Sequence, residues 1–190
     1  MATREKIKLT SYNELLGVNN DMISEIDINK LHQFKDHPFS VVDNEKMLEL
    51  AKSIENNGIL SPLLVRPLGD GEYEIISGHR RKRACEITGK KKVSAIIKDI
   101  SHEEAIPLMV DANFQREDTL PSEKAKAYKM KMEALAHQGK SSDEMSSAKK
   151  IGQLAGISDR QVQRYIRLTE LIPELSKLVD DKQITFVLGV

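Results

Sequence analysis

"IISGHRRKRACEITGKKK", Ile75 to Lys92, sets a β-branched apolar run against seven Lys and Arg residues, with Glu86 as the single acid among them. Ile75 and Ile76 read as the end of a strand, Ser77 and Gly78 as a turn, and His79 onward as a short helix closing near Gly89. Such a junction aims backbone N–H groups and guanidinia at one place, and that place binds anions. The residues of the expected cradle are Ser77, Gly78, His79, Arg80 and Arg81. On spacing alone, a solvated basic helix accounts for the same residues equally well.

Upstream of this stretch, Met47, Leu48, Leu50, Ala51 and Ile54 recur at three- and four-residue spacing. They predict a helix with Asp43 as cap and Gly58 at its exit. "LLVRPLGDGEYEII" reads as a hairpin around a Gly- and Asp-containing turn, and "VSAIIKDI" as a further strand. Helix, hairpin, helix, strand is the order of a compact α/β unit. Ser101 and Glu104 form a capping-box signature for the next helix, in which Pro107 either marks a kink or moves the start. "DANFQRED" then gathers Asn113, Gln115, Arg116 and Glu117, which could face the same anion from the opposite side or merely cap the helix. Beyond Pro121 the period is helical, interrupted by the Ser- and Gly-rich "GKSSDEMSS", which reads as a linker.

In "AKKIGQLAGISDRQVQRYIRLTEL" a first helix bearing Ile151 and Leu154 meets a tight turn at Gly156, and a second starts with Ser158 as cap and Gln161 three residues on. Arg160, Arg164 and Arg167 share one side of that helix, while Val162, Tyr165, Ile166 and Thr169 lie opposite. Arg160, Gln161, Gln163 and Arg164 supply the guanidinium forks and amides that read base edges in a major groove, and Lys149 and Lys150 could sit on phosphates. The alternative is an ordinary helical hairpin with a solvated Arg face.

Composition narrows the partners. Twenty-nine basic residues balance twenty-nine acidic ones, so any nucleic-acid affinity must come from local patches rather than a whole basic surface. Aromatics make up 4% and Trp is absent, which leaves little material for a base-stacking platform. The lone Cys85 suits a reducing compartment. No signal-peptide h-region is present, and no apolar stretch approaches the roughly 20 residues of a spanning helix, so a soluble cytoplasmic protein is expected.

Taken together, "SIENNGILSPLLVRP", "GEYEIISGHRRKRA", "DANFQREDTLPSEKAKAY" and the two-helix segment resemble, in order and spacing from about Ile26 to Leu178, the ParB family of plasmid and chromosome partition proteins. The resemblance implies an α+β chain: a flexible arm over 1–24, a small ParB/sulfiredoxin-like α/β nucleotide-binding domain over 25–118, and an all-α DNA-binding domain over 119–190 with its helix-turn-helix at about 148–168. It further implies a palindromic centromere-like DNA site, CTP with Mg²⁺ at the "GHRR" segment as a clamp switch, a Walker-type ParA ATPase engaged by the arm, and residence on nucleoid or plasmid. The homodimer would be held by a C-terminal domain lying past the abrupt apolar ending "ITFVLGV", where the chain is expected to be cut short.

Residue by residue, Gly58, Ile59 and Pro62 match the family's "G-(I/V)-x-x-P" beside the nucleotide pocket. Gly78, Arg80 and Arg81 match its phosphate-contacting "G-E-R-R", with His79 where Glu is commoner. Asn113, Gln115, Arg116 and Glu117 match "E-N-x-(N/Q)-R-E", and Asn113 is the implied Mg²⁺ contact. Ala112 departs from this pattern, since a methyl group stands where a carboxylate helps hold Mg²⁺ or orient water. Asp111 points about 100° away on a helix. Nucleotide binding is therefore expected, with CTP hydrolysis weak or absent.

Other readings compete. Sulfiredoxin binds ATP phosphates with a "Gly-Cys-His-Arg" loop, but here Gly78 precedes His79 and Cys85 lies about two turns on, as a semi-buried apolar residue. No cluster of His and carboxylates supports a nuclease, and His32, His37, His102 and His137 read as scattered surface residues or caps. A helix-turn-helix transcriptional regulator without nucleotide switching fits as well as a partition protein. "KAKAYKMKMEALAHQGK" could lie on a membrane, but Met130, Met132, Leu135 and Ala136 are better placed to cover a core between two domains.

Overall fold

The structure, a computed structural model, describes residues 23–114, 116, 119–137 and 144–186, with the side chains of 144–146 excepted. Most of the expected arm, Gln115, Glu117 and the first half of the Ser- and Gly-rich stretch lie outside the described residues.

Five strands form one mixed sheet in the order β1-β5-β3-β4-β2, where β1 is Ile23–Asp27, β2 Leu31–His32, β3 Leu63–Gly69, β4 Glu72–Ser77 and β5 Lys92–Ile97. The expected hairpin is β3 with β4, antiparallel with Val65 opposite Ile75, while β3 and β5 run parallel with Leu63 opposite Ala95. The apolar runs are continuous because both faces are covered. Leu63, Val65, Ile75, Val93 and Ala95 point to one side, into a core closed by α1 (Glu45–Asn57) and α2 (His79–Ile87) through Met47, Ala51, Ile54, Ala84 and Cys85. Leu64, Ile76 and Ile96 point to the other, beneath α3 (His102–Asp111) and α4 (Pro121–His137), where Ala105, Met109, Val110 and Ala127 meet Phe34 and Phe39. Cys85 is fully buried, and burial pushes its thiol pKa up.

Local signals account for most boundaries. The capping box of α3 is complete, with Ser101 accepting from the Glu104 N–H and Glu104 accepting from the Ser101 N–H, and Pro107 lies within the helix. The cap of α1 is Asn44, not Asp43, because the Asp43 carboxylate is taken by Arg83 at 2.5 Å. The described tail of the expected linker is helical, since α5 spans Glu144–Ala155. A three-residue turn leads to α6 (Asp159–Arg167), and α7 (Pro173–Asp180) starts on its proline. The α5–α6 pair buries Ala148, Ile151 and Val162 against Tyr128 of α4, with Met132 and Leu135 beside them. Leu154 is instead 66% exposed, and Ala136 is also exposed.

Candidate functional site

The opening stretch is placed by β4 and α2. Ser77 ends the strand, and Gly78 turns the chain into the helix at φ +111. A Cβ at Gly78 would lie 2.8 Å from Cγ of Leu63 and 3.2 Å from Nη2 of Arg81, so glycine alone allows this approach of helix to strand. Gly78 also caps α2 without a side-chain hydrogen bond, and a helix amino end of this kind suits an anion.

At this helix end lies a cavity of about 180 Å³ lined by Ser77, Gly78, His79, Arg80, Arg81 and, from across the fold, Asn113 and Arg116. His37, Val41 and Ala112 complete the lining. Through Val41 and His79 it adjoins a second hollow of about 230 Å³ reaching Gln33 and Lys82. Through Arg80 and Arg116 it adjoins a third, of about 250 Å³, reaching Ser40, Asn44 and Glu123. The three make one groove, on the scale of a small-molecule site.

Two guanidinia of the basic run thus face the cavity, and Arg116 brings a third from 35 residues further along. The other five cations of that run lie elsewhere: Lys82 pairs with Glu86 at 2.9 Å, Arg83 pairs with Asp43 and Glu86, and Lys90, half-buried, and Lys91 and Lys92, exposed, lie beyond the far end of α2. Arg81 is braced by the loop after α1, its Nη1 donating to the carbonyls of Ser61 at 2.5 Å and Pro62 at 2.7 Å. Gly58, Ile59 and Pro62 therefore sit behind the lining: Gly58 closes α1, Ile59 packs on the core, and Pro62 holds Arg81.

His79 faces the groove as a neutral ring. Its Nε2 accepts from the Phe34 N–H at 3.4 Å, which puts the proton on Nδ1, and its ring lies 3.8 Å from that of His37. Burial first, then the adjoining His37 ring, which opposes a second proton on the pair, and the cations Lys82, Arg116 and Arg81, push its pKa down to about 3. Burial also lowers the pKa of His37, whose Nδ1 donates to the Phe39 carbonyl at 2.8 Å. The remaining nitrogen of His37 is a buried acceptor with no hydrogen-bond partner among the described residues. His37 and Val41 were not expected in the site; nothing local marks them beyond the aromatic flanks of "FKDHPF". His102 is half-buried, stacking on Phe34 at 4.7 Å.

The α5–α6 pair presents a separate face. Arg160, Gln161, Gln163, Arg164 and Arg167 are exposed on α6, while Val162 is buried and Tyr165 and Ile166 pack inward. Ser158 caps α6 by accepting from the Gln161 N–H at 3.2 Å. Lys149 and Lys150 are exposed in the middle of α5, which begins a turn earlier than expected. Among the described residues no three His, Cys, Asp or Glu side chains gather as a metal site, and no helix is long and apolar enough to cross a membrane.

Comparison with known proteins agrees with this layout. Residues 12–114 match the ParB N-terminal domain. The chain is 39% identical over 141 residues to the chromosome-partitioning protein Spo0J of Thermus thermophilus, covering 74% of this chain and 48% of that one. It is 33% identical over 163 residues to the probable chromosome 1-partitioning protein ParB of Deinococcus radiodurans, covering 86% and 53%. The chain thus spans about half the length of these curated relatives. Among solved structures, the C-terminally truncated chromosome-partitioning protein ParB from Caulobacter crescentus, complexed to the centromeric parS site, superposes with a TM-score of 0.59 at 27% identity, over 87% of this chain and 82% of that one.

Proposed function

Because the chain belongs to the ParB family of partition proteins, matching its N-terminal domain over residues 12–114, we propose that it is a site-specific DNA-binding partition protein that binds CTP at the amino end of α2 as a switch. The observation that carries the nucleotide half is the groove itself: the amino end of α2, with Arg80, Arg81 and Arg116 converging from two separate segments on one cavity. The match to a ParB solved on its parS site, and the exposed Arg and Gln side chains of α6, support the DNA half, in which α6 enters the major groove of a palindromic centromere-like site. Lys149 and Lys150 of α5 then meet phosphates. The whole protein works as a homodimer on nucleoid or plasmid DNA with a ParA-type ATPase. Hydrolysis of bound CTP is weak or absent, because Ala112 brings only a methyl group to the lining.

Calorimetric titration of CTP, with ATP and GTP as controls, tests the switch, and fluorescence anisotropy on a parS-type duplex against random duplex tests the reader. Selective CTP binding together with duplex discrimination is the expected pair of results. Duplex discrimination without any nucleotide binding, in a protein shown to be folded, would make the chain a plain helix-turn-helix DNA binder of the transcription-regulator kind.

A further inference from the structure

We propose that the groove takes its nucleotide polyphosphate without a divalent cation, the guanidinia standing where Mg²⁺ would otherwise neutralise the charge. This rests on the nucleotide reading above. Mg²⁺ demands near-octahedral oxygen coordination and is ordinarily anchored to protein through one or two carboxylates. The described lining of the central cavity offers none: its side chains are three guanidinia, two neutral imidazoles, a hydroxyl, an amide and the apolar Val41 and Ala112.

Among the described residues, the carboxylates nearby are each engaged. Asp111, next to Ala112, pairs with Lys131 of α4 on the side facing that helix. Glu123 spends one oxygen on the Ser40 N–H at 2.7 Å and the other on the Leu120 N–H at 3.1 Å. Glu86 holds Lys82 and Arg83, and Glu74 holds Arg66 at 2.5 Å and the Lys35 N–H at 2.8 Å. Asn113, the oxygen donor expected for the metal, is set against it too. Its amide nitrogen donates to the Met109 carbonyl at 2.8 Å, and its Oδ1 lies 3.5 Å from Nη1 of Arg116, so a cation at that oxygen would face a guanidinium.

These residues do not fit Mg²⁺, whereas they fit a bare polyphosphate. Arg80, Arg81 and Arg116 approach from two segments of the chain, and the amino end of α2 adds its partial positive charge. A metal bound to the phosphates would cancel part of the charge these groups are placed to meet.

The test is calorimetric titration of CTP into the whole chain, once in excess Mg²⁺ and once in excess EDTA. The expected affinities agree within about threefold. Ala112→Glu, which returns a carboxylate to the lining, should then bind about tenfold tighter in Mg²⁺ than in EDTA. Binding by the natural chain that disappears in EDTA would overturn the inference and leave the nucleotide reading intact. Absence of binding in both buffers, by protein with a native circular-dichroism spectrum, would overturn the two together.

Discussion

Gly152→Ala sets two effects of known sign against each other inside the α5–α6 pair. In an exposed helix the change would stabilise, because alanine exceeds glycine in helix propensity by about 1 kcal/mol. At this position an added Cβ would stand 2.6 Å from the Ile157 carbonyl oxygen, 3.2 Å from the Ser158 carbonyl carbon and 3.3 Å from the Asp159 nitrogen, all backbone atoms. Carbon and oxygen sit comfortably at about 3.3 Å or more, so the turn must retreat by several tenths of an ångström. It is not at liberty to do so, since the Ile157 N–H donates to the Gly152 carbonyl at 2.9 Å and ties the turn to the helix it would be leaving. Overpacking of this kind costs about 1–3 kcal/mol, and stretching the tie costs part of the roughly 1 kcal/mol of a backbone hydrogen bond. The clash wins, for a net loss of about 1–2 kcal/mol and a fall in Tm of about 2–8 °C in a chain of this size. Because the atoms displaced lead straight into Ser158 and the first turn of α6, affinity for a specific duplex should fall with it. Gly156→Ala is the control: its Cβ meets nothing within 4 Å, so only the strain of φ +69 is felt. A Gly152→Ala protein that melts at or above the parent temperature and holds duplex DNA as well would refute this account of the turn.

Other consequences can be checked separately. Arg80→Ala removes one charge-assisted contact and should weaken CTP by about 1.5–3 kcal/mol in the same calorimeter, and unchanged affinity would sink the cradle. Arg164→Ala should cost about 1–3 kcal/mol on the specific duplex and little on random DNA; equal loss on both would demote the residue to phosphate positioning. His79 has a folded pKa of about 3 against an ordinary 6.5, so its contribution to stability is complete above pH 6.5 and is lost as pH falls through that window towards 3. The slope is at most about 1.4 kcal/mol per pH unit from this one group. His79→Gln should flatten urea-derived stability between pH 6.5 and 4.5, only in part because burial lowers His37 as well, and a slope identical to the parent would show the ring to be solvated.

What the sequence discloses here follows the range of the interactions. The α3 capping box, the β3–β4 hairpin and the glycine before His79 are local devices, and each lies where its residues indicate. The cap of α1 misleads because Asp43 and Asn44 are equally able to accept an N–H, and the choice between them is made by Arg83, 40 residues away. The basic run misleads for a related reason. Composition counts seven cations together, but the helix turns Lys82 and Arg83 towards Glu86 and Asp43, leaving Arg80 and Arg81 to the cavity. Its third guanidinium and both imidazoles come from, or are trapped by, segments distant in sequence, and no periodicity joins Arg116 or His37 to Gly78.

The same long-range packing joins the groove to the α5–α6 pair. Phe114 stands between Asn113 and Arg116 and packs against both the sheet-side core and the core of the α5–α6 pair. Its ring lies 5.2 Å from that of Tyr128 and beneath the ammonium of Lys131, which also holds Asp111. Both partners are on α4, which gives Ala127 to one core and Tyr128 to the other. Asn113 and Arg116 thus flank a ring shared by two hydrophobic cores. Linkage between two ligands requires that both bias one physical element. On the function proposed above, Phe114 and α4 are where such linkage would run, since Arg116 and α6 both border these packed contacts.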